Sequence, residues 1–261
     1  MNRSVLRASA VVSVLAIAAS LSSPPARAAL PTLIPRSVLF GNPEKTSPAI
    51  SPDATKLAYL APYNGVLSIW VRTIGKNDDR VVATDPQRPL RNVAWQPDSK
   101  HVLYAQDKGG NENFHVFQTD VATKQTRDLT PFPNARADIA AIDPLHPNEM
   151  LVTSNKRDPK VFDVYRVDYR TGALTMAAQN PGSYSDWGAD NAFVVRAAVQ
   201  SNPDGSSELL VRNDENSAWR TLLKGTTEDN IGIVGFSPDN KALYVISSVD
   251  ANTSRLVKYD V

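Results

Sequence analysis

Past the first thirty residues, apolar positions fall in short runs divided by polar turns, and hardly any stretch shows helical periodicity. Val93-Ala94-Trp95 leads into Pro97-Asp98, and the apolar, β-branched and aromatic run Val102-Leu103-Tyr104 returns from it. Proline presets the backbone angle of such a turn, and aspartate accepts hydrogen bonds from the backbone ahead of it. The pattern therefore predicts a β-hairpin.

The hairpin recurs along the chain. SPDATKLAYL (Ser51 to Leu60) returns as QPDSKHVLYA (Gln96 to Ala105) and as SPDNKALYVI (Ser237 to Ile246). Weaker copies are HPNEMLVT (His146 to Thr153) and GADNAFVVR (Gly188 to Arg196). Their Asp or Asn falls at 53, 98, 148, 190 and 239, in steps of 45, 50, 42 and 49 residues. Each unit continues into a third apolar run: Leu67 to Val71, His115 to Thr119, Val164 to Asp168, Leu209 to Arg212 and Leu256 to Tyr259. Most add a fourth, such as Arg80 to Ala83, Arg127 to Leu129 and Thr221 to Leu223. Four short antiparallel strands per unit of this length predict an all-β fold, a β-propeller of four-stranded antiparallel blades with about five units present. The fifth unit stops at Val261, inside or just after its third strand. Either Ser37 to Phe40 supplies the missing strand and closes a five-bladed ring, or the ring is incomplete and the sequence is the front of a longer chain.

The opening residues follow another pattern. Arg3 and Arg7 precede an apolar run from Ala8 to Leu21, Pro24-Pro25 ends it, and Ala26-Arg27-Ala28 is a small-x-small cleavage site. This is the layout of a secretory signal cut between Ala28 and Ala29, and the apolar run is short for a bilayer span. The expected organisation is a signal peptide at 1–28, a lead-in segment at 29–47 and propeller repeats at 48–261, in a periplasmic or secreted protein with no membrane attachment after cleavage. The sequence has 261 residues with a formal charge of +1, and residues 1–28 hold three arginines and no acid. The remainder carries 25 basic and 27 acidic side chains, which gives no electrostatic case for nucleic acid. Cysteine is absent, which excludes disulfides, thiolate metal sites and thiol catalysis.

Three long stretches carry a resemblance: IPRSVLFGNPEKTSPAISPDATKLAYLAP (Ile34 to Pro62), DKGGNENFHVFQTDVATKQTRDLTPF (Asp107 to Phe132) and RDPKVFDVYRVDYRTGAL (Arg157 to Leu174). They resemble the N-terminal propeller of the prolyl oligopeptidase family of serine peptidases, nearest its bacterial dipeptidyl aminopeptidase and acylaminoacyl-peptidase branch. The resemblance implies a propeller paired with a C-terminal α/β-hydrolase domain bearing a Ser-Asp-His triad, with peptides as substrates. It also implies that acidic propeller residues grip the free amino end of the substrate. Glu112, in the polar loop Asp107 to Asn113, is the candidate for that substrate-binding role through a charge-assisted bond to an ammonium.

The chemistry of the family is not written in this chain. No G-x-S-x-G elbow occurs, and Gly182-Ser183 and Gly205-Ser206 lack the second glycine. With no nucleophile, His101, His115 and His146 are read as structural, and no residue is assigned as catalytic. The acidic loops at Asn77 to Arg80 and Asp214 to Asn216 lack calcium-loop spacing, so no metal and no cofactor is expected. Arg157 and Asp158 are read as an ion pair. Two functions fit: the substrate-gating propeller of a secreted serine peptidase, inactive without its hydrolase domain, or a free-standing periplasmic propeller that binds a protein or peptide.

Overall fold

The computed structural model describes residues 32–41 and 43–261, and the expected signal with its cleavage point at Ala28 and Ala29 lies outside the described residues. The chain divides into a short unit ending at Gly41 and a larger one from Asn42 to Val261. In the short unit, residues Arg36–Phe40 form a single helical turn, α1. The Pro35 carbonyl accepts hydrogen bonds from the Val38 and Leu39 amides at 3.0 and 3.3 Å, which closes a helical turn where an extended run was expected. Ser37 to Phe40 therefore does not supply a strand to complete the last blade.

The larger unit consists of five antiparallel sheets, each ordered as the chain runs. The first holds β1 (Thr46–Ile50), β2 (Lys56–Tyr63), β3 (Val66–Thr73) and β4 (Arg80–Ala83). The second holds β5 (Arg91–Trp95), β6 (His101–Gln106), β7 (His115–Asp120) and β8 (Thr126–Asp128). The third is β9 (Ala137–Ala141), β10 (Glu149–Ser154), β11 (Asp163–Asp168) and β12 (Leu174–Ala178), and the fourth is β13 (Tyr184–Ala189), β14 (Val195–Ser201), β15 (Ser207–Val211) and β16 (Arg220–Gly225). The last sheet has three strands among the described residues: β17 (Ile231–Phe236), β18 (Ala242–Ser247) and β19 (Arg255–Asp260). These are propeller blades, and the strands fall where the repeat places them.

Side chains alternate faces along a strand, so consecutive buried residues mean that both faces of a sheet are covered. In β6, Val102 and Tyr104 join Ala58, Leu60, Ile69 and Val71 of the first sheet, whereas Leu103 joins Met150 and Val152 of the third. The third and fourth sheets share Leu151, Val164, Phe193 and Val195, and the fourth and fifth share Ala197, Leu209, Leu243 and Val245. The core is thus four apolar seams between neighbouring blades. Gly188 in β13 lies on the last seam. A Cβ there would stand 2.8 Å from the Ile233 side chain and 3.1 Å from Ala197, so the close approach of the fifth sheet requires glycine.

The repeated turns also join blade to blade. In the first turn Ser51 Oγ donates to Asp53 Oδ1 at 2.6 Å and accepts the Lys56 amide at 2.9 Å, and Ser237 does the same with Asp239 and Ala242 at 2.6 and 2.9 Å. Ser99 Oγ of the second turn accepts the Asp53 amide at 3.0 Å. His146 Nε2 of the third lies 3.1 Å from the Asn191 carbonyl of the fourth. Asn191 Nδ2 in turn donates to Ser237 O at 2.8 Å and Asn240 Oδ1 at 2.6 Å in the fifth. Between the second and third blades, Arg127 takes over by donating to the Arg170 and Thr171 carbonyls.

The last sheet is covered on one face only. Ile246 pairs directly with Leu256, and these two are 43% and 66% exposed, with Val234 at 55% beside them. None of the four seams joins this face to another sheet among the described residues.

Two predictions follow from the turns. Asn191→Ala removes two inter-blade bonds and should lower unfolding free energy by about 1–3 kcal/mol in urea titration, with little change in m-value. Hydrogen bonds from Ser51 and Ser237, with those from backbone amides, hold the Asp53 and Asp239 carboxyls below the ordinary range. Both bind a proton less readily folded than unfolded, so their stabilisation is complete above the unfolded value of about 3.9 and is lost as pH falls below it. The urea midpoint should drop mainly below about pH 4, and less steeply in the Ser51→Ala/Ser237→Ala variant.

Candidate functional site

The loops between second and third strands and the links from one sheet to the next lie on the same face, and two cavities open among them. The first, about 550 Å³, is bordered by the link between the first two sheets and by the loop after β6. Its key side chains are Asp85, Gln106, Asp107, His115, Phe117 and Asp128. The second, about 520 Å³, lies between the third and fourth sheets, with Arg136, Asp138, Lys160, Asn180, Tyr184 and Trp187 on its walls.

A buried carboxylate anchors the loop at each cavity. Asp107 accepts Arg88 Nε on one oxygen at 3.0 Å and the Glu112 amide on the other at 3.2 Å. The loop turns back over this carboxylate with Gly109, Gly110 and Glu112 all at positive φ. Gly110 is held to glycine by its φ of +84°, and a Cβ would also stand 2.8 Å from the end of the Arg88 guanidinium, which would have to shift. In the third sheet Asp163, 0% exposed, receives Arg157 through both oxygens at 2.7 and 2.8 Å. It also accepts the Asn180 amide at 2.7 Å and the Tyr165 hydroxyl at 3.1 Å. Burial works to raise the Asp163 pKa, but the Arg157 bonds and the Asn180 amide outweigh it and hold the carboxyl below its ordinary range. The same environment pushes Tyr165 up to about 12, through burial and then the neighbouring charge.

The sequence paired Arg157 with Asp158, and the structure pairs it with Asp163. Asp158 instead accepts the Lys160 amide at 2.9 Å, so it is spent on its own turn. Glu112 lies at the tip of its loop, exposed, and its carboxylate makes no hydrogen bond or ion pair among the described residues. It does not border the cavity that its loop encloses. Asp107, Gln106 and Asp163 carry the local geometry and were not singled out in sequence. The polar run Asp107 to Asn113 was the one signal available for the first two.

Each histidine is held by an acid. His101 Nδ1 lies 2.6 Å from Asp98, His115 Nδ1 lies 2.7 Å from Asp128, and His146 Nδ1 lies 3.3 Å from Glu149 while its ring stacks on Phe193 at 4.0 Å. No serine hydroxyl is among the hydrogen-bond partners of these rings in the described residues. Ser206, beside Gly205, donates to Asp204 at 2.6 Å within its turn. The described residues contain no cluster of three or more His, Asp or Glu side chains arranged to hold a metal.

Arg157→Ala strands a fully buried carboxylate, and Asp163→Asn removes the charge with its shape kept. The first should cost about 3 kcal/mol in chemical denaturation, and the second should cost less. Equal losses in the two variants would deny the pair its electrostatic role.

No protein-family model matches the chain. It is 37% identical over 266 aligned positions to dipeptidyl aminopeptidase BIII of Pseudoxanthomonas mexicana, covering 99% of this chain and 38% of that protein. It is 27% identical to dipeptidyl peptidase family member 6 of Caenorhabditis elegans, covering 87% of this chain and 33% of that protein. Among solved structures, a prolyl endopeptidase superposes on 82% of this chain and 35% of its own, with a TM-score of 0.59 and 18% identity, a likeness of fold. The chain spans 33–38% of the length of these curated relatives. Identity that runs through all five sheets, together with the propeller they build, places the chain in the prolyl oligopeptidase family of peptidases, as an N-terminal, propeller-forming portion.

Proposed function

We propose that this chain is the propeller that covers the catalytic hydrolase of a secreted serine peptidase and limits entry to peptides. The observation that carries the reading is the 37% identity to a dipeptidyl aminopeptidase across 99% of the chain. Two features support the division of labour. The histidines are committed to carboxylates with no serine beside them, and the α/β alternation on which a G-x-S-x-G elbow is built has no counterpart in five antiparallel sheets. Chemistry then comes from a separate hydrolase portion, for which the further length of the curated relatives leaves room. The arginine-led, apolar opening and the lack of cysteine favour export to a periplasm or beyond. Glu112, exposed and unpaired, is the propeller residue offered to the free amino end of a substrate.

The purified chain treated with a fluorophosphonate probe should show no labelled serine by mass spectrometry, whereas the same chain continuous with a G-x-S-x-G-bearing segment should label at that serine. Labelling of a serine within residues 43–261 would overturn the reading. A longer reading frame without such a segment would favour the free-standing binding propeller.

A further inference from the structure

The 550 Å³ cavity beside the Asp107 loop holds more than the anchor of that loop. Three carboxylates border it, Asp85, Asp107 and Asp128, against one lining lysine, Lys108. Asp107 is matched by Arg88, and Asp128 is bonded to His115. Asp85 has no cation. One of its oxygens accepts the Gln87 and Arg88 amides at 2.8 and 3.0 Å, and the other has only a long 3.5 Å contact from Gln106 Nε2.

Gln106 is 8% exposed, and its Oε1 is buried without a donor. Nε2 faces Asp85 in this structure, and a half-turn of the terminal amide, which exchanges Nε2 and Oε1, would set that oxygen beside the Asp85 carboxylate. His115 adds a further acceptor. With Nδ1 held at Asp128, its Nε2 has no partner among the described residues. The His115 ring lies 6.4 Å from Phe117 at an interplanar angle of 23°, so one wall is flat and aromatic. The walls thus offer one carboxylate with no cation in contact and one planar apolar surface, with Lys108 the one lining ammonium.

A ligand for such a cavity must be cationic, rich in N–H donors and flat. A guanidinium meets all three conditions. Its fork can engage two adjacent acceptors at once, and its weakly hydrated plane stacks on aromatic rings, whereas an ammonium is a compact and strongly hydrated point charge. We propose that this cavity binds a guanidinium group, as the side chain of an arginine presents it, with Asp85 and Gln106 as its acceptors and Phe117 as its stacking surface. The site is distinct from Glu112 and goes beyond the peptidase reading, because it requires no hydrolase.

The test titrates the isotopically labelled full chain with L-argininamide and, in parallel, with L-citrullinamide. The second keeps the α-ammonium and replaces the guanidinium by a neutral ureido group of the same shape. The expected result is amide shifts centred on Gly109, Asn111, Asn113 and the Gln106 side chain, with argininamide at least tenfold tighter. Asp85→Asn and Gln106→Met, checked for unchanged melting, should each weaken argininamide tenfold or more. Equal binding of the two ligands would assign the contact to the α-ammonium and overturn the proposal. Shifts centred elsewhere, or no shift on the wild-type chain, overturn it without recourse to any variant.

Discussion

A four-stranded blade has two apolar faces, and everything else in this fold depends on both being covered. The middle strand β6 shows the constraint at one residue's resolution: Val102 and Tyr104 look one way and Leu103 the other, each into a different seam. Burial of such side chains contributes roughly 25 cal/mol per Å² of apolar surface, so a blade alone, with both faces in water, lacks that driving force. Stability therefore belongs to adjacent pairs of blades, as in other repeat architectures. The turn-to-turn hydrogen bonds fix how neighbours register. The loops on the opposite face are free to vary because the seams do not need them.

The loops could not simply be left loose, since they carry charges into the protein. Asp107 and Asp163 are nearly or wholly buried, and each is neutralised by an arginine that reaches in from the surface, Arg88 and Arg157. Removing the arginine leaves an uncompensated buried carboxylate, which is why such pairs rigidify the ground they occupy even where their net stabilisation is small. Both cavities are bordered by loops pinned in this way. Their shape is set by the arginine–aspartate pairs more than by the loop sequences themselves.

The same distinction explains what could be read from the sequence. The hairpin turns were legible because their chemistry is local: Ser51, Pro52 and Asp53 satisfy one another and the next few amides, and the pattern survives even at Asp190 in the worn fourth copy, which still accepts the Ala192 and Val194 amides at 2.9 and 3.0 Å. Arg157 was misassigned for the same reason in reverse. Asp158 is adjacent in sequence, but its carboxylate closes its own turn, and the acid that meets Arg157 starts a strand several residues on. Asp107 opens the polar loop read from the sequence, and Gln106 lies between that loop and the repeat. Their partners, Asp85 and Arg88, belong to the preceding link, about twenty residues back, and no local rule brings them together. Ser37 to Phe40 is apolar enough for a strand, and only the hydrogen bonds to the Pro35 carbonyl decide for a helix.

The covering rule fails at two faces among the described residues, because four seams between five sheets leave the first and the last sheet with one neighbour each. The last sheet leaves Val234, Ile246 and Leu256 in water on a face that has a neighbour in each of the three middle sheets. A soluble propeller blade has no reason to select three apolar side chains for that face unless something apolar lies against them. In the proposed peptidase, the further length that the curated relatives have is the candidate for that cover.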